Sequence, residues 1–199
     1  MTTLPMNTLI LVVVLIAVAV GVVAWFVIQR QRSVHLKQRF GAEYDRAMNE
    51  LGGRSKAEAE LTKRQKRVAG LTITPLTPAD AVRFSQAWNT LQGRFVDNPK
   101  GVVTEADLLV RELMAKRGYP MGDFELRAAD ISVDYPGIVS NYRAAQAIAV
   151  RNARGEADTE ELRKAFVHYR TLFDELLGVA PTKASTAPAV LVGSVPVHS

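Results

Sequence analysis

The sequence predicts an all-α chain with an N-terminal transmembrane helix, a basic helical stalk, a small cytosolic helical bundle and a disordered C-terminal tail. An unbroken apolar run lies near the N-terminus, apolar residues recur at steps of three and four further along, and no segment shows sustained period-two alternation. We assign residues 1–8 to a short extracytoplasmic leader, 9–28 to the transmembrane helix, 29–70 to the stalk, 71–178 to the helical domain and 179–199 to the tail.

The apolar run extends from Leu9 to Ile28 and contains no charged residue. With a rise of 1.5 Å per residue, a helix of this length spans about 30 Å, the thickness of the hydrocarbon core of a bilayer. An isolated segment in hydrocarbon satisfies its backbone hydrogen bonds only as a helix. Trp25 and Phe26 lie one turn before the end of the run, where aromatic rings suit the headgroup region. We therefore expect a transmembrane helix.

A cleaved signal peptide is the alternative interpretation of this run. Signal peptides begin with basic residues and carry an apolar core of about 7–15 residues before small cleavage-site residues. Here Met1–Thr8 contains no Lys or Arg, and the run continues past the small residues Gly21 and Ala24. These features favour a retained anchor.

Charge on the two sides of the run predicts its orientation. The leader has no basic residue, whereas the other side carries four before the first carboxylate: Arg30, Arg32, Lys37 and Arg39. Positively charged flanks stay in the cytoplasm. We expect the N-terminus outside and the C-terminal domain in the cytoplasm, as in a single-pass protein of the plasma membrane.

The positive charge of the chain belongs to the stalk. Residues 30–70 contain eleven Lys and Arg against five Asp and Glu, whereas residues 71–178 contain thirteen against fifteen. We expect the membrane helix to continue through Leu51 and to break at Gly52-Gly53. A second helix, Arg54–Ala69, follows, and we expect it to be solvated or loosely docked because its apolar stripe is thin. The stripe consists of Ala57, Leu61 and Val68.

Residues 71–178 are expected to form four to five helices. Two helices start where an N-cap residue precedes a proline that is tolerated in the first turn, at Thr77-Pro78 and at Asn98-Pro99. Asp123 is a further N-cap. Other helices start at Pro136 and Thr159. Gly118, Gly155 and Gly178 end helices. The expected buried stripes are Ala81, Phe84, Trp88, Leu91 and Phe95; Val102, Ala106, Leu109 and Leu113; Phe124, Ala128 and Ile131; and Leu162, Phe166, Tyr169, Phe173 and Leu176.

Composition excludes several kinds of site. The chain has no cysteine, which rules out disulfides, thiol nucleophiles, cysteine-ligated zinc and iron–sulfur clusters. Its three histidines, His35, His168 and His198, are scattered along the chain and offer little material for a metal site or a catalytic triad. We therefore expect no cofactor, metal or catalytic set. The tail lacks carboxylates and holds three prolines, as is typical of disorder.

One acidic helix face is a candidate site. Asp123, Arg127, Asp130 and Asp134 follow each other at steps of four, three and four. In the functional interpretation Asp130 and Asp134 bind a hard cation. In the structural one they form the polar side of an amphipathic helix, held by Arg127. The structural interpretation is favoured, because an i,i+4 pair supplies only two ligand positions.

The basic residues beside the membrane are a candidate contact for lipid headgroups. Arg30, Arg32, Lys37 and Arg39 lie within about one Debye length of an anionic leaflet if the helix stays near the surface. A second basic patch is expected to be a solvated face: Lys63, Arg64, Lys66 and Arg67. The absence of aromatic residues between these charges disfavours nucleic acid binding.

The stretch RGYPMGDFELRAADISVDYPGIVSNYRAA, residues 117–145, resembles small single-pass bacterial membrane proteins with an RGYPxxDFExRAADxSVDYP pattern. The resemblance covers about residues 35–150. It implies a bacterial source and an anchor-plus-domain layout. It carries no catalytic or binding assignment.

These observations favour a non-enzymatic interaction or adaptor module at the inner face of a bacterial plasma membrane. Its expected partners are the bilayer and a protein that the sequence does not identify. Two alternatives remain open: a membrane-bound enzyme that uses the carboxylates near Asp130 and Asp134, and a stalk that binds anionic lipid.

Overall fold

The computed structural model describes residues 6–178, which form eight α-helices and no β-strand. The all-α prediction is confirmed for this part of the chain. The start of the predicted leader, residues 1–5, and the predicted disordered tail lie outside the described residues. The helices are α1 (Met6–Phe40), α2 (Ala42–Leu51), α3 (Arg54–Ala69), α4 (Pro78–Arg94), α5 (Pro99–Arg117), α6 (Phe124–Asp134), α7 (Val139–Ala153) and α8 (Thr159–Leu177).

Helix α1 contains the predicted apolar run. Its segment Leu15–Phe40 is long and apolar enough to cross a membrane, with a mean hydropathy of 1.4 in its most apolar window and none of that window buried. Every side chain from Leu15 to Arg32 is exposed, among them Val23 and Trp25. No other described helix meets the same criteria of length and composition.

The prediction of one helix running from the membrane to Leu51 is wrong at Gly41. This residue has φ 51° and ψ −124°, a conformation that residues with a Cβ rarely adopt. The chain turns there, so α2 begins as a separate helix. Tyr44 and Ala47 of α2 are buried in a cluster with Phe40, the last residue of α1.

A small apolar cluster, called here the stalk cluster, joins the end of α1 to α2, α3 and α6. Its buried members are Leu36, Phe40, Tyr44, Ala47, Ala57, Leu61, Val68 and Val133. Ala57 and Leu61 are fully buried. The expectation of a loosely docked α3 is therefore wrong. Its stripe is thin, but each residue of the stripe is covered by side chains from neighbouring helices.

The main core lies among α4, α5, α6, α7 and α8. Trp88 of α4 stacks between Phe166 and Phe173 of α8, with ring-centroid distances of 4.8 and 4.6 Å. The predicted stripes are buried here, except that Ala81, Phe95 and Phe124 are half-buried. The helical periodicity therefore predicted the inward faces of these helices correctly.

The helix ends follow local signals with small shifts. Thr77, Asn98 and Asp123 each accept a hydrogen bond from a backbone N–H in the first turn, as N-caps do. At α8 the N-cap is Asp158, which forms a reciprocal capping box with Glu161. Helix α7 starts at Val139 rather than at Pro136, because the Tyr135 carbonyl first accepts hydrogen bonds from Ile138 and Val139 in a turn.

An extended connector between α3 and α4 lies against the end of α5. The Thr74 N–H donates to the Arg117 carbonyl over 2.9 Å. Gly118 has φ 97°, and a Cβ at this position would overlap the Thr72 carbonyl oxygen. The connector therefore approaches α5 more closely than a larger residue would allow, and this contact helps to place the stalk on the bundle.

Leu61→Ala tests the stalk cluster. Leu61 is fully buried, so its truncation is expected to lower the free energy of unfolding by about 2–5 kcal/mol. The measurement is urea unfolding of the full chain in detergent, followed by Trp88 fluorescence in a Trp25→Phe background. The matched control is Leu108→Ala, at a side chain 52% exposed, which should cost less than about 1 kcal/mol. Equal losses for the two variants would contradict the docked α3.

Candidate functional site

The three carboxylates of the predicted acidic face do not converge on one point. Asp123 is the N-cap of α6 and accepts from the Leu126 N–H over 2.8 Å. Asp130 is fully buried, whereas Asp134 is exposed at the other end of the helix. Among the described residues no group of three or more His, Asp or Glu side chains is arranged to hold a metal ion. Each carboxylate instead has a partner of its own.

Asp130 forms an ion pair with the stalk. The Arg67 Nε donates to Oδ1 of Asp130 over 2.6 Å, and Nη2 lies equally close to the same oxygen. The carboxylate is fully buried and the Arg67 side chain is 28% exposed. An unpaired carboxylate at this depth is costly, so the pair holds α3 against α6.

Asp134 lies in a cleft of about 450 Å³ between the stalk and the bundle. Its Oδ2 accepts a 2.6 Å hydrogen bond from the hydroxyl of Tyr119. Burial raises the pKa of Tyr119, and the hydrogen bond to Asp134 raises it further. Tyr119 therefore stays protonated and serves as a donor. It is poorly suited to act as a base or a nucleophile.

Arg127 does not hold the acidic face together. This residue is 8% exposed and turns inward, where it donates to the Gly122 carbonyl and, over 3.2 Å, to the hydroxyl of Tyr142. The polar face of α6 is thus divided among a cap, an inter-helix ion pair and a tyrosine hydrogen bond.

The basic residues of the stalk fall into two groups. Four of them have a carboxylate oxygen within 4.0 Å: Arg46, Arg54, Arg64 and Arg67. Seven have no such partner among the described residues: Arg30, Arg32, Lys37, Arg39, Lys56, Lys63 and Lys66. The second basic patch predicted from the sequence is therefore divided: Arg64 and Arg67 pair with carboxylates of the chain, whereas Lys63 and Lys66 line a groove.

This groove, called here the α1–α3 groove, has a volume of about 730 Å³ and lies between the end of α1 and α3. Its basic lining residues are Arg32 and His35 from α1 and Lys63 and Lys66 from α3. Each pair is spaced by three residues, so both side chains of a pair project from the same helix face. Of the four residues predicted to contact headgroups, only Arg32 lines this groove.

Glu58 fastens the two walls of the groove together. Its Oε1 accepts hydrogen bonds from Ser33 of α1, from Tyr44 of α2 at 3.0 Å and from Arg54 of α3 at 2.8 Å. Burial acts to raise the pKa of Glu58, but the hydrogen bonds from Ser33, Arg54 and Tyr44 outweigh it and leave the pKa below its ordinary value. Glu58 is thus a charged acceptor whose Oε1 already accepts from three donors of its own chain.

A second network ties the stalk to the bundle. Glu43 of α2 is 5% exposed and accepts from Arg64 of α3 at 3.4 Å and from Arg143 of α7 at 3.0 Å. Arg143 also reaches Glu125 of α6 at 2.6 Å. This network connects α2 and α3 with α6 and α7, and the Arg67–Asp130 pair connects α3 with α6.

Sequence reasoning did not identify Ser33, Glu43, Glu58 or Asp130 as residues that fasten the stalk. Their partners lie far away along the chain: Ser33 and Glu58 are 25 positions apart, and Arg67 and Asp130 are 63. Local periodicity carries no information about such pairs. The only signal in the sequence was a Glu or Asp next to an apolar stripe.

The chain matches no protein-family model, no curated protein and no solved structure.

A double-mutant cycle tests the Arg67–Asp130 pair. Arg67→Met leaves a buried carboxylate without its partner, and we expect it to destabilise the full chain by about 3–5 kcal/mol in urea unfolding. Asp130→Asn in the same chain should recover most of this loss, because the uncompensated charge is removed. Arg163→Met is the control, since the Arg163–Glu160 pair is exposed and should contribute little to stability. Simple additivity of the two substitutions would contradict a direct pair.

Proposed function

We propose that this chain is a single-pass protein of a bacterial plasma membrane, in which α1 anchors a helical interaction module at the cytoplasmic face. The proposal combines the apolar helix, the charge asymmetry around it and the way the domain is attached to it. It treats the domain as a surface for a protein partner rather than as an enzyme.

The continuity of α1 is the observation that carries the proposal. One helix runs from Met6 to Phe40. From Leu15 to Ile28 it is exposed and apolar, whereas Leu36 and Phe40 near its end are buried in the stalk cluster. A chain built in this way has no flexible linker between the apolar helix and the folded domain. Once the helix is in a bilayer, the domain is held at a fixed distance from its surface.

The charges flanking the apolar run support the cytoplasmic orientation. Arg30, Arg32, Lys37 and Arg39 follow the run on exposed positions of α1, and residues 1–8 contribute no basic side chain. Basic residues within about 15–20 positions of a membrane helix determine which end remains in the cytoplasm.

The roles of the acidic residues support interaction over catalysis. Asp130 is fully buried against Arg67, Asp123 caps a helix, and Asp134 accepts a hydrogen bond from a tyrosine. Each has a partner that accounts for it structurally. The carboxylate-based enzyme is therefore not adopted as a second candidate.

Cysteine labelling in intact cells tests the anchor and its orientation. The chain has no cysteine, so Thr3→Cys and Val96→Cys each introduce a single reactive thiol. Val96 is 88% exposed, so its substitution should not disturb the fold. A membrane-impermeant maleimide is expected to label Thr3→Cys in intact cells and Val96→Cys only after lysis.

Two results of this labelling would contradict the proposal. Labelling of Val96→Cys in intact cells would place the domain outside. Loss of Thr3→Cys from the mature chain, with the domain released from the membrane, would indicate a cleaved signal peptide.

Site-specific photocrosslinking in native membranes tests the interaction module. A photoreactive residue replaces an exposed valine or leucine of the full chain, at Val96, Leu108 or Val167, which are 88%, 52% and 48% exposed. We expect a discrete adduct of constant mass at a subset of these positions. Val102, a fully buried valine, is the control and should give none. No adduct at any exposed position would argue against a protein partner.

A further inference from the structure

We propose that the α1–α3 groove binds the phosphate-bearing headgroup of an anionic membrane lipid, whose acyl chains lie along the apolar half of α1 beside Trp25. The proposal rests on the membrane anchoring proposed above. It adds a defined site and a ligand class to that anchoring.

The groove carries uncompensated positive charge. Arg32, Lys63 and Lys66 line it, and none of them has a carboxylate oxygen within 4.0 Å among the described residues. The carboxylate among the lining residues belongs to Glu58, whose charge is balanced by Arg54 at 2.8 Å. Three cations thus face one cavity, and His35 adds a further nitrogen. Phosphate oxygens are the acceptors that such a set of donors suits best.

The basic residues of the groove differ from the neighbouring basic residues of α3 in having no carboxylate partner. Lys63 and Arg64 are neighbours in the sequence, yet Arg64 pairs with Glu43 and Glu60 whereas Lys63 faces the groove. Lys66 and Arg67 repeat this division, because Arg67 pairs with the buried Asp130. Arg64 and Arg67 are neutralised within the chain. Those in the groove remain available to an external anion.

The groove opens at the depth of lipid headgroups in the anchored chain. Arg32 is four residues beyond Ile28 and therefore about 6 Å further along the helix axis. His35 is about 10 Å beyond Ile28. The headgroup region on each side of a bilayer is about 5–8 Å thick, so the lipid phosphates meet the groove at its Arg32 end. Lys63 and Lys66 lie five and eight residues past Glu58, which is level with Ser33, so they are farther from the bilayer than Arg32.

A second cavity continues the groove toward the hydrocarbon. Its volume is about 350 Å³, and it is lined by Trp25, Phe26, Gln29, Arg30 and Arg54. Gln29 lines both cavities, which makes them neighbours. A free phosphate would use only the basic part. A lipid can place its phosphate among the cations and its chains against the aromatic rings, and this match favours the lipid as the source of the phosphate.

The walls of the groove are held in place before any ligand binds. Ser33 and Tyr44 donate to Glu58 across the helices, and Leu36 and Leu61 pack in the stalk cluster beneath them. Binding therefore does not have to supply the free energy for ordering the site, which is the general advantage of a preorganised site.

Quenching of Trp25 by brominated lipids tests the site. The full chain is reconstituted in phosphatidylcholine vesicles that contain phosphatidylglycerol, with bromine on the acyl chains of one lipid or the other. Trp25 is 64% exposed beside the proposed site, whereas Trp88, the other tryptophan, is 3% exposed in the main core. Trp25→Phe provides the blank. We expect brominated phosphatidylglycerol to quench Trp25 at lower mole fractions than brominated phosphatidylcholine does.

Lys63→Gln/Lys66→Gln should remove this selectivity. A cation near an anionic surface contributes about fivefold to binding, so the double variant is expected to lower the preference for phosphatidylglycerol about tenfold or more. The matched control is Lys37→Gln/Lys56→Gln, which removes the same charge from exposed stalk positions outside the groove. Its loss should be clearly smaller than that of the groove variant. Both variants change exposed residues and should fold normally.

The possible outcomes separate this proposal from the anchoring on which it depends. Equal losses in the groove variant and the control would overturn the groove and indicate diffuse charge attraction. Equal quenching by both lipids in the unaltered chain would overturn it as well, with the anchor intact. Displacement of phosphatidylglycerol by excess inorganic phosphate would overturn the lipid as the source of the phosphate. No quenching by either lipid would overturn the anchoring itself.

Discussion

The attachment of α3 to the end of α1 is the constraint on which the rest of the structure depends. Glu58 accepts hydrogen bonds from Ser33, Tyr44 and Arg54, and the stalk cluster fills the space beside it. Without this attachment the apolar helix would be joined to the bundle by a solvated chain. With it, α1, α2 and α3 form a folded base on which the bundle is mounted through α6.

Helix α6 links the two apolar clusters of the fold. Ile131 is buried in the main core, and Val133, two residues later, is buried in the stalk cluster. Asp130, between these faces, is paired with Arg67. A short helix therefore serves two cores at once, which explains why Arg127 and Asp130 contact other helices rather than solvent on one open face.

The bundle was predictable because its signals are local. The Thr77-Pro78 start, the stripe through Phe84, Trp88 and Leu91, and the helix end at Gly118 each depend on neighbouring residues only. The break at Gly41 had a local signal as well, but a single glycine is also tolerated inside helices, so sequence periodicity alone did not reveal the turn.

The docking of α3 and the candidate site were not predictable, because both depend on pairing between distant segments. Ala57, Leu61 and Val68 form a stripe too thin to predict burial, and their partners come from α1, α2 and α6. The sequence shows where the basic residues are. It does not show that Lys63 and Arg32 line one groove while Arg64, the residue after Lys63, pairs with Glu43.

The unbroken course of α1 from its apolar half into the stalk cluster has a mechanical consequence. A helix that ends inside a folded core transmits both tilt and rotation, so in the proposed membrane-anchored chain a change in bilayer thickness that tilts α1 would swing the bundle with it. One residue inserted after Ile28 would turn the bundle by about 100° around the helix axis. In that anchored chain, the number of residues between Ile28 and Leu36 would set the direction in which the bundle faces along the membrane.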